Sequence, residues 1–256
     1  MKQEAPQPRR SRTGIPAIHG GEHVKELGTE AAGARRRNAS GESTRVMLME
    51  VAERLFATRG IEAVTLREIQ QAAGQSNTSV IRYHFGSRDG LIRALISYRQ
   101  ASLGADRQEM LASMREQGKE ADPRAVVWLL VRPLANSIAA GEMFAPFLAR
   151  LAEDPRARSD YWPDHVDDDW TQEKLEELVD AALQDLPERI RRGRTFQLYI
   201  SLVNVLAASA RAGHGLSEAQ LHNYVDTWVG MLTAPVSYET RALIAEHDET
   251  PSRADA

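Results

Sequence analysis

Apolar residues recur at helical spacing from Thr44 onwards, after a stretch that has almost none of them. The spacing i, i+3, i+4, i+7, i+8 places one set on a single helical face: Leu48, Val51, Ala52, Leu55 and Phe56. Gly60 follows the last of these turns, and glycine tolerates the left-handed conformation that closes a helix. The pattern therefore predicts an amphipathic helix from Thr44 to Arg59.

Two short helices are predicted next. The run Thr65-Leu66-Arg67-Glu68 is typical of a capping box, in which the Thr hydroxyl and the Glu carboxylate satisfy free backbone amides at a helix start. Gly74 ends this helix, and the polar residues 76–78 offer an N-cap for a third helix that reaches residue 82 or 84. Two short helices joined by a tight glycine turn indicate a helix-turn-helix.

The rest of the chain is also predicted to be helical, because no strand-like alternation of apolar and polar residues occurs. A fourth helix opens at a cap on Ser87, and later helices are predicted over residues 97–117, 123–140, 142–153, 171–185, 187–212, 217–234 and 237–247. Pro133 falls inside one helix, whereas Pro187 sits where a first-turn proline is favourable. Residues 154–170 are predicted to form a long irregular loop. The fold class is therefore all-α, with a three-helix helix-turn-helix domain before a C-terminal helical bundle.

Four regions follow from these patterns. Residues 1–41 hold several prolines and glycines and the basic run at 35–37, which favours a disordered basic arm. This arm is either a solvated tail or a segment that seeks the minor groove or phosphates of a nucleic acid. We expect a helix-turn-helix domain at 42–96, a ligand-binding and dimerisation domain at 97–248, and a flexible tail at 249–256.

Composition narrows the classes of function. The 256 residues include no cysteine, which excludes disulfides, thiolate nucleophiles and Cys-ligated zinc and fits a reducing cytoplasm. Apolar runs are too short for a membrane span, and no signal-peptide pattern opens the chain, so we expect a soluble, cytoplasmic protein without a membrane partner. The net charge is −4, so any nucleic-acid surface must be locally basic, while the acidic stretch 154–188 should face away from it.

Enzyme signatures are absent from the sequence. No phosphate-binding glycine loop, nucleophile elbow or HExxH-like pair occurs, so a helical enzyme or a ligand carrier is a distant alternative. His165 near Asp167–Asp169 is the one vaguely metal-like cluster, and loop carboxylates at that spacing are usually solvated. We therefore expect no enzymatic activity, no metal and no cofactor.

The stretch from residue 45 to residue 93 resembles the DNA-binding domain of the TetR family. The segments that carry the resemblance are VMLMEVAERLFATRG, TLREIQQAAG and YHFGSRDGLIRAL, in that order. The turn between Gly74 and Phe85 is one residue longer than usual in the family, and Arg82 stands where an aromatic residue is usual, so the register of the recognition helix stays open. The resemblance implies a homodimeric transcriptional regulator, favouring a repressor, whose ligand pocket changes the spacing between two DNA-reading heads.

The third predicted helix carries the candidates for reading bases. A helix that enters the major groove needs short polar residues on its leading turn, and this turn offers Asn77, Thr78, Ser79 and Arg82. Arg82 suits a bidentate contact with guanine, whereas Asn77 suits either a contact with adenine or a role as helix cap.

Other residues are candidates for holding DNA phosphates at the helix starts and around the fourth helix. They are Thr44, Thr65, Arg67, Tyr83, His84 and Arg88. A buried core histidine is the alternative for His84, and a solvated surface charge is the alternative for Arg88.

The C-terminal helices supply the remaining candidates. An apolar pocket for a hydrophobic, aromatic or acyl effector is predicted around Trp128, Arg132, Asn136, Phe144, Phe147 and Trp162. Plain core packing is the alternative for the aromatic residues, and solvent exposure is the alternative for Arg132 and Asn136. A dimer interface on two late helices is predicted around Phe196, Tyr199, Val203, Leu221, Val225 and Trp228, with packing inside one domain as the alternative. Control by a protein partner in place of a small molecule also remains open.

Overall fold

The computed structural model describes residues 22–77, 79–154, 157–161, 172–213 and 215–248, and these residues form helices without a strand. The helices are α1 Glu22–Arg59, α2 Leu66–Ala72, α3 Val80–Phe85, α4 Arg88–Glu116, α5 Pro123–Ala139, α6 Phe144–Leu151, α7 Ala157–Tyr161, α8 Gln172–Ala182, α9 Glu188–Arg211, α10 Glu218–Thr233 and α11 Tyr238–Asp248. The predicted all-α fold is confirmed. Among the described helices, none is long and apolar enough to cross a membrane.

The chain divides into two units, residues 1–45 and residues 46–256. The first helix was expected to begin near Thr44, but α1 already begins at Glu22, inside the segment assigned to a disordered arm. Residues 22–41 are rich in Glu, Ala and Arg, which favour helix through backbone propensity without an apolar stripe. Hydrophobic periodicity therefore could not find this part of α1. Residues 1–21 and 249–256, expected to be arm and tail, lie outside the described residues.

The second unit opens with a small helical cluster that matches the predicted helix-turn-helix. Leu48, Ala52 and Phe56 on α1 are fully buried, and so is Ile69 on α2. Gly60 and Gly74 adopt φ values of 88° and 65°, a left-handed conformation that is strained for residues with a side chain. These glycines follow the ends of α1 and α2, as the sequence predicts. The order of helices, caps and turns is therefore set by local signals.

Helix α4 departs from the prediction of two helices that meet near residue 96. It runs unbroken from Arg88 to Glu116, and residues 91–103 contain neither proline nor glycine to interrupt the helix. Leu91 and Leu95 pack in the helix-turn-helix cluster, whereas Leu103 and Leu111 lie further along the same buried face. One rigid rod thus belongs to both of the expected domains.

The remaining helices form the body of the second unit. Helix α6 packs extensively against α9, and α10 packs against both α5 and α9. The bounds of α5, α6, α8, α9, α10 and α11 agree with the predicted helices to within a few residues at each end. Pro133 lies inside α5, and Pro187 is the N-cap residue of α9. The predicted irregular loop is wrong at residues 157–161, where the short helix α7 occurs and touches α4.

Candidate nucleic-acid interface

Helix α3 separates its side chains into a buried and an exposed set. Val80 and Ile81 are buried in the core, whereas Ser79, Arg82 and Tyr83 are exposed, and Tyr83 exposes 83% of its surface. A tyrosine that is so exposed contributes little to folding, since its ring buries almost no area. The exposed set forms a polar surface at the tip of the helix-turn-helix, which we call the α3 face (Ser79, Arg82 and Tyr83).

Asn77 shapes the turn that leads into α3. Its side-chain Oδ1 accepts a hydrogen bond from the backbone amide of Ser79 at 2.9 Å, and its carbonyl accepts one from the amide of Val80 at 3.2 Å. The side-chain bond forms a turn before α3, whose N-cap residue is Ser79, so Asn77 shapes the approach to the helix without capping it. Thr78, the other predicted base reader on this turn, lies outside the described residues.

The start of α2 carries the predicted capping box. Glu68 accepts hydrogen bonds from the backbone amide and the hydroxyl of Thr65, each at 2.8 Å, and Thr65 Oγ1 accepts one from the amide of Glu68 at 3.2 Å. Arg59 adds an ion pair to the same carboxylate at 2.8 Å. The hydrogen bonds from Thr65, followed by that from Arg59, lower the pKa of Glu68 to about 2. Arg67 is exposed beside this box and stays available to a ligand on the surface.

Arg88 requires a correction. Its guanidinium donates to the carbonyl of Val64 at 2.6 Å and to the carbonyl of Ile61, and it lies 5.5 Å from the centre of the Phe56 ring. The surface-charge alternative is therefore wrong, because the side chain is half-buried and bound within the protein. These contacts tie the start of α4 to the connection between α1 and α2, so we no longer assign Arg88 to phosphate binding.

The remaining phosphate candidates differ in their surroundings. His84 is half-buried, and its ring meets Tyr83 edge-on at 5.0 Å and Phe85 at 6.0 Å, so the fully buried alternative is wrong. Thr44 is half-buried on α1 and belongs to the first of the two units. The exposed hydrogen-bond donors of the α3 face, by contrast, all lie within one short segment, residues 79–83.

The helix-turn-helix coincides with a match to a known family. Residues 48–95 match the model described as bacterial regulatory proteins, tetR family. Residues 48–95 thus form a DNA-binding domain of the tetR type. The matched residues run from α1, through α2 and α3, into the first part of α4. The α3 face thus lies inside the matched domain.

The curated relatives of this chain are described as HTH-type transcriptional regulators. The chain is 29% identical over 104 residues to the HTH-type transcriptional regulator TtgR of Pseudomonas putida, covering 41% of this chain and 47% of that relative. It is 28% identical over 177 residues to the HTH-type transcriptional repressor Rv1474c of Mycobacterium tuberculosis, covering 65% and 92%. It is 29% identical over 143 residues to the HTH-type transcriptional repressor AcnR of Corynebacterium efficiens, covering 55% and 64%. The chain thus spans about half the length of the first of these relatives.

The predicted effector residues that the structure describes differ in their surroundings. Phe144 and Phe147 are fully buried on α6, with ring centres 6.1 Å apart, as the core-packing alternative expects. Trp128 and Arg132 lie half-buried on α5, with the guanidinium 4.6 Å from the indole, and Asn136 is exposed. Trp162 lies outside the described residues. The described candidates are thus divided between the core and the surface of α5, and a common effector pocket stays a prediction.

A small cavity does occur beside α5. It has a volume of about 100 Å³ and lies between α5 and the start of α10, where Arg132, Asn136, Glu218 and Leu221 contribute to its wall. Arg132 forms two hydrogen bonds with the carboxylate of Glu218, at 2.6 and 2.8 Å, and these lower the pKa of Glu218. Asn136 donates a hydrogen bond to Asp106 at 3.0 Å. The alternative of simple solvent exposure for Arg132 and Asn136 is therefore only partly correct, because both side chains bind partners within the protein.

Most of the predicted dimer residues are buried within one protomer. Val203 and Val225 are fully buried, Leu221 and Trp228 are nearly so, and the Trp228 indole donates to Ser201 Oγ at 3.0 Å. The prediction is wrong for these residues, since the side chains that fill one core cannot also cover a partner. Phe196 behaves differently: 67% of its surface is exposed on α9, and Tyr199 nearby is half-buried.

Sequence reasoning missed the charged and polar side chains inside the body. Glu53 on α1 falls on the same helical face as Met49 and Phe56, and it is almost as buried as they are. A carboxylate at an apolar-face position was the signal that could have found it, because such a residue is buried only with a partner. Arg99 on α4 provides that partner.

Proposed function

We propose that this chain is a sequence-specific DNA-binding transcriptional regulator that acts as a repressor. The observation that supports this most directly is the α3 face, which is polar and exposed inside the matched domain. A short helix with such a tip fits the major groove, where each base pair presents a distinct pattern of donors and acceptors. Two of the relatives are named repressors, which favours repression over activation. A regulator of this kind is not an enzyme.

The residues divide into readers and holders of DNA in this proposal. Arg82 reads guanine, with Ser79 and Thr78 beside it, while Asn77 holds the turn that presents them. Tyr83, His84, Thr65, Arg67 and Thr44 contact phosphates and set the register without reading sequence. Support for this division comes from exposure: the side chain of Arg82 lies in solvent, while its neighbour Ile81 is buried.

We propose that two copies bind together through α9. A surface phenylalanine exposed to 67% is costly to leave in water, and Phe196 shares α9 with the half-buried Tyr199. A two-fold dimer would place two α3 faces on one side of a duplex, one helical turn apart or a multiple of it. The interface residues differ from those expected, because Val203, Leu221, Val225 and Trp228 belong to the core.

We also propose that a small hydrophobic, aromatic or acyl effector releases the protein from DNA. Gln100 and Arg107 on α4 are buried in the apolar body, and the Arg107 guanidinium donates to Gln100 Oε1 at 3.0 Å. Ligand sites combine apolar walls with a few placed polar groups, and this pair offers both a donor and an acceptor. A library of such compounds should contain one that raises the melting temperature by mass action. An absence of any shift would favour control by a protein partner.

The experiment for DNA reading compares two arginines on the same domain. A duplex selected by the wild-type protein from a random library is titrated by fluorescence anisotropy against a duplex with altered bases. We expect Arg82→Ala to reduce discrimination by about 1–3 kcal/mol, the value of one bidentate base contact. Arg67→Ala should weaken both duplexes equally and lower the salt slope by about 1, as a phosphate contact does. Full discrimination by Arg82→Ala would refute the assignment of the α3 face.

A further inference from the structure

A buried cluster of charged side chains joins three parts of the second unit. Arg99 on α4 donates to both oxygens of Glu53 on α1, at 2.5 and 3.1 Å, and to Glu142 in the turn between α5 and α6 at 2.5 Å. The backbone amide of Met143, in the same turn, donates to Glu53 Oε1 at 2.8 Å. Ser137 on α5 donates to the second oxygen of Glu142 at 2.5 Å.

The cluster is deeply buried at its centre and open at its edge. Glu53 and Arg99 are 2% and 5% exposed, whereas the side chain of Glu142 is 28% exposed. Burial raises the pKa of Glu53, and the Arg99 guanidinium opposes this by favouring the charged carboxylate. Charges taken out of water in this way persist only with good geometry and satisfied hydrogen bonds, and removing one partner is strongly unfavourable. The three side chains therefore have one well-defined arrangement.

The cluster connects the helix-turn-helix to the turn between α5 and α6. Glu53 lies on α1 between the fully buried residues Met49 and Phe56, so it moves with the core that holds α2 and α3. Glu142 belongs to the turn that begins α6, the helix that packs extensively on α9. Arg99 holds both carboxylates at once. A displacement of the α5–α6 turn is therefore passed to α1 through charge-assisted hydrogen bonds, which are short and directional.

We propose that Arg99, together with Glu142, positions the helix-turn-helix relative to the α5–α6 turn, so that breaking their contact weakens DNA binding at a distance from the DNA surface. This inference rests on the proposed function, because it concerns the affinity of the α3 face for its operator. Neither residue touches DNA; both act through Glu53 and α1. An effector or partner that moves the α5–α6 turn would use the same route.

Glu142→Gln tests this positioning role. The variant keeps the size of the side chain at a partly open site, so the fold should survive, but it removes one of the two charges that hold Arg99. Asp180→Asn is the matched control, since it neutralises an ion pair of similar length, 2.7 Å to Arg191, between α8 and α9. Should Glu142→Gln fail to fold, Ser137→Ala loosens the same carboxylate and is read in the same way.

Two measurements are made on each variant. The Kd for a selected duplex is obtained by anisotropy over a range of salt concentrations. A head-to-body distance is obtained by pulsed electron spin resonance between labels on Ala72→Cys in α2 and on Gln184→Cys beyond α8. Both positions are exposed, and the chain has no other cysteine. The labelled chain is mixed with an excess of unlabelled chain, so that a dimer contains one labelled protomer and the measured distance lies within it.

The expected result is a Kd about two- to thirtyfold weaker for Glu142→Gln, the range typical of residues that couple distant sites. Its salt slope should equal that of the wild type, and its distance distribution should broaden or shift, while Asp180→Asn changes neither. An unchanged Kd, or a weaker Kd with an unchanged distance distribution, would overturn the inference. If the wild type selects no duplex at all, the proposed function fails. The distance measurement does not need DNA, so an unchanged distance distribution in Glu142→Gln refutes the positioning role even in that case.

Discussion

Replacing Arg88 by Met distinguishes a brace inside the protein from a contact with DNA. Met keeps most of the side-chain length but removes the guanidinium that donates to the carbonyls of Ile61 and Val64 and lies over Phe56. A hydrogen bond to a charged group contributes about 1.5–3 kcal/mol, and a cation–π contact at a partly exposed site about 0.5–1 kcal/mol. These contributions are not additive, and water can reach a half-buried site, so we expect a loss of about 2–4 kcal/mol in the free energy of unfolding.

Urea unfolding followed by circular dichroism measures this loss, and anisotropy measures the salt dependence of DNA binding. Arg88→Lys should recover only part of the stability, because one ammonium group lacks the fork that serves two carbonyls at once. Arg67→Ala is the control: this exposed residue should leave stability within about 0.5 kcal/mol and lower the salt slope. An Arg88→Met protein with wild-type stability and a salt slope lower by about 1 would refute the brace and restore a phosphate contact.

Two further predictions concern acid stability and assembly. Because the hydrogen bonds from Thr65 lower the pKa of Glu68 to about 2, its stabilisation is present above the ordinary pKa of 4.5 and is lost as the pH falls towards 2. The stability advantage of wild type over Glu68→Gln, measured by urea unfolding, should therefore shrink as the pH is lowered from above 4.5 towards 2; a constant difference would contradict the capping geometry. Trp228→Ala should lower the free energy of unfolding by about 3–5 kcal/mol, whereas Phe196→Ala should fold normally but weaken dimerisation in analytical ultracentrifugation. A fully dimeric Phe196→Ala would exclude this part of α9 from the interface.

Local signals predicted the helix-turn-helix well. The capping box at Thr65 and the turn at Gly74 depend on residues within a few positions of each other, so the printed sequence contains everything that determines them. The start of α1 at Glu22 was not predicted, because helix propensity alone extends the helix this far and no apolar stripe marks it. The sequence analysis also divided α4 into two helices, because the spacing of apolar residues does not show whether two adjacent helical segments are continuous.

Roles that depend on tertiary contacts could not be predicted in this way. Arg88 finds its carbonyl partners 24 and 27 residues earlier in the chain, a pairing that no local pattern encodes. Val203 and Trp228 lie on genuinely apolar helical faces, but such a face packs equally well against its own domain or against a second copy. The sequence therefore indicated which residues avoid water without indicating what covers them.

Selection of duplexes from a random-sequence library by the wild-type protein tests the central claim most directly. The account predicts enrichment of a two-fold symmetric sequence with half-sites about 10 base pairs apart, or a multiple of that, since two α3 faces must enter successive grooves on one side of the duplex. In a parallel selection with Arg82→Ala, one position in each half-site should lose its preference. A library that emerges without enrichment, or a single unsymmetrical motif bound by a monomer, would contradict the account.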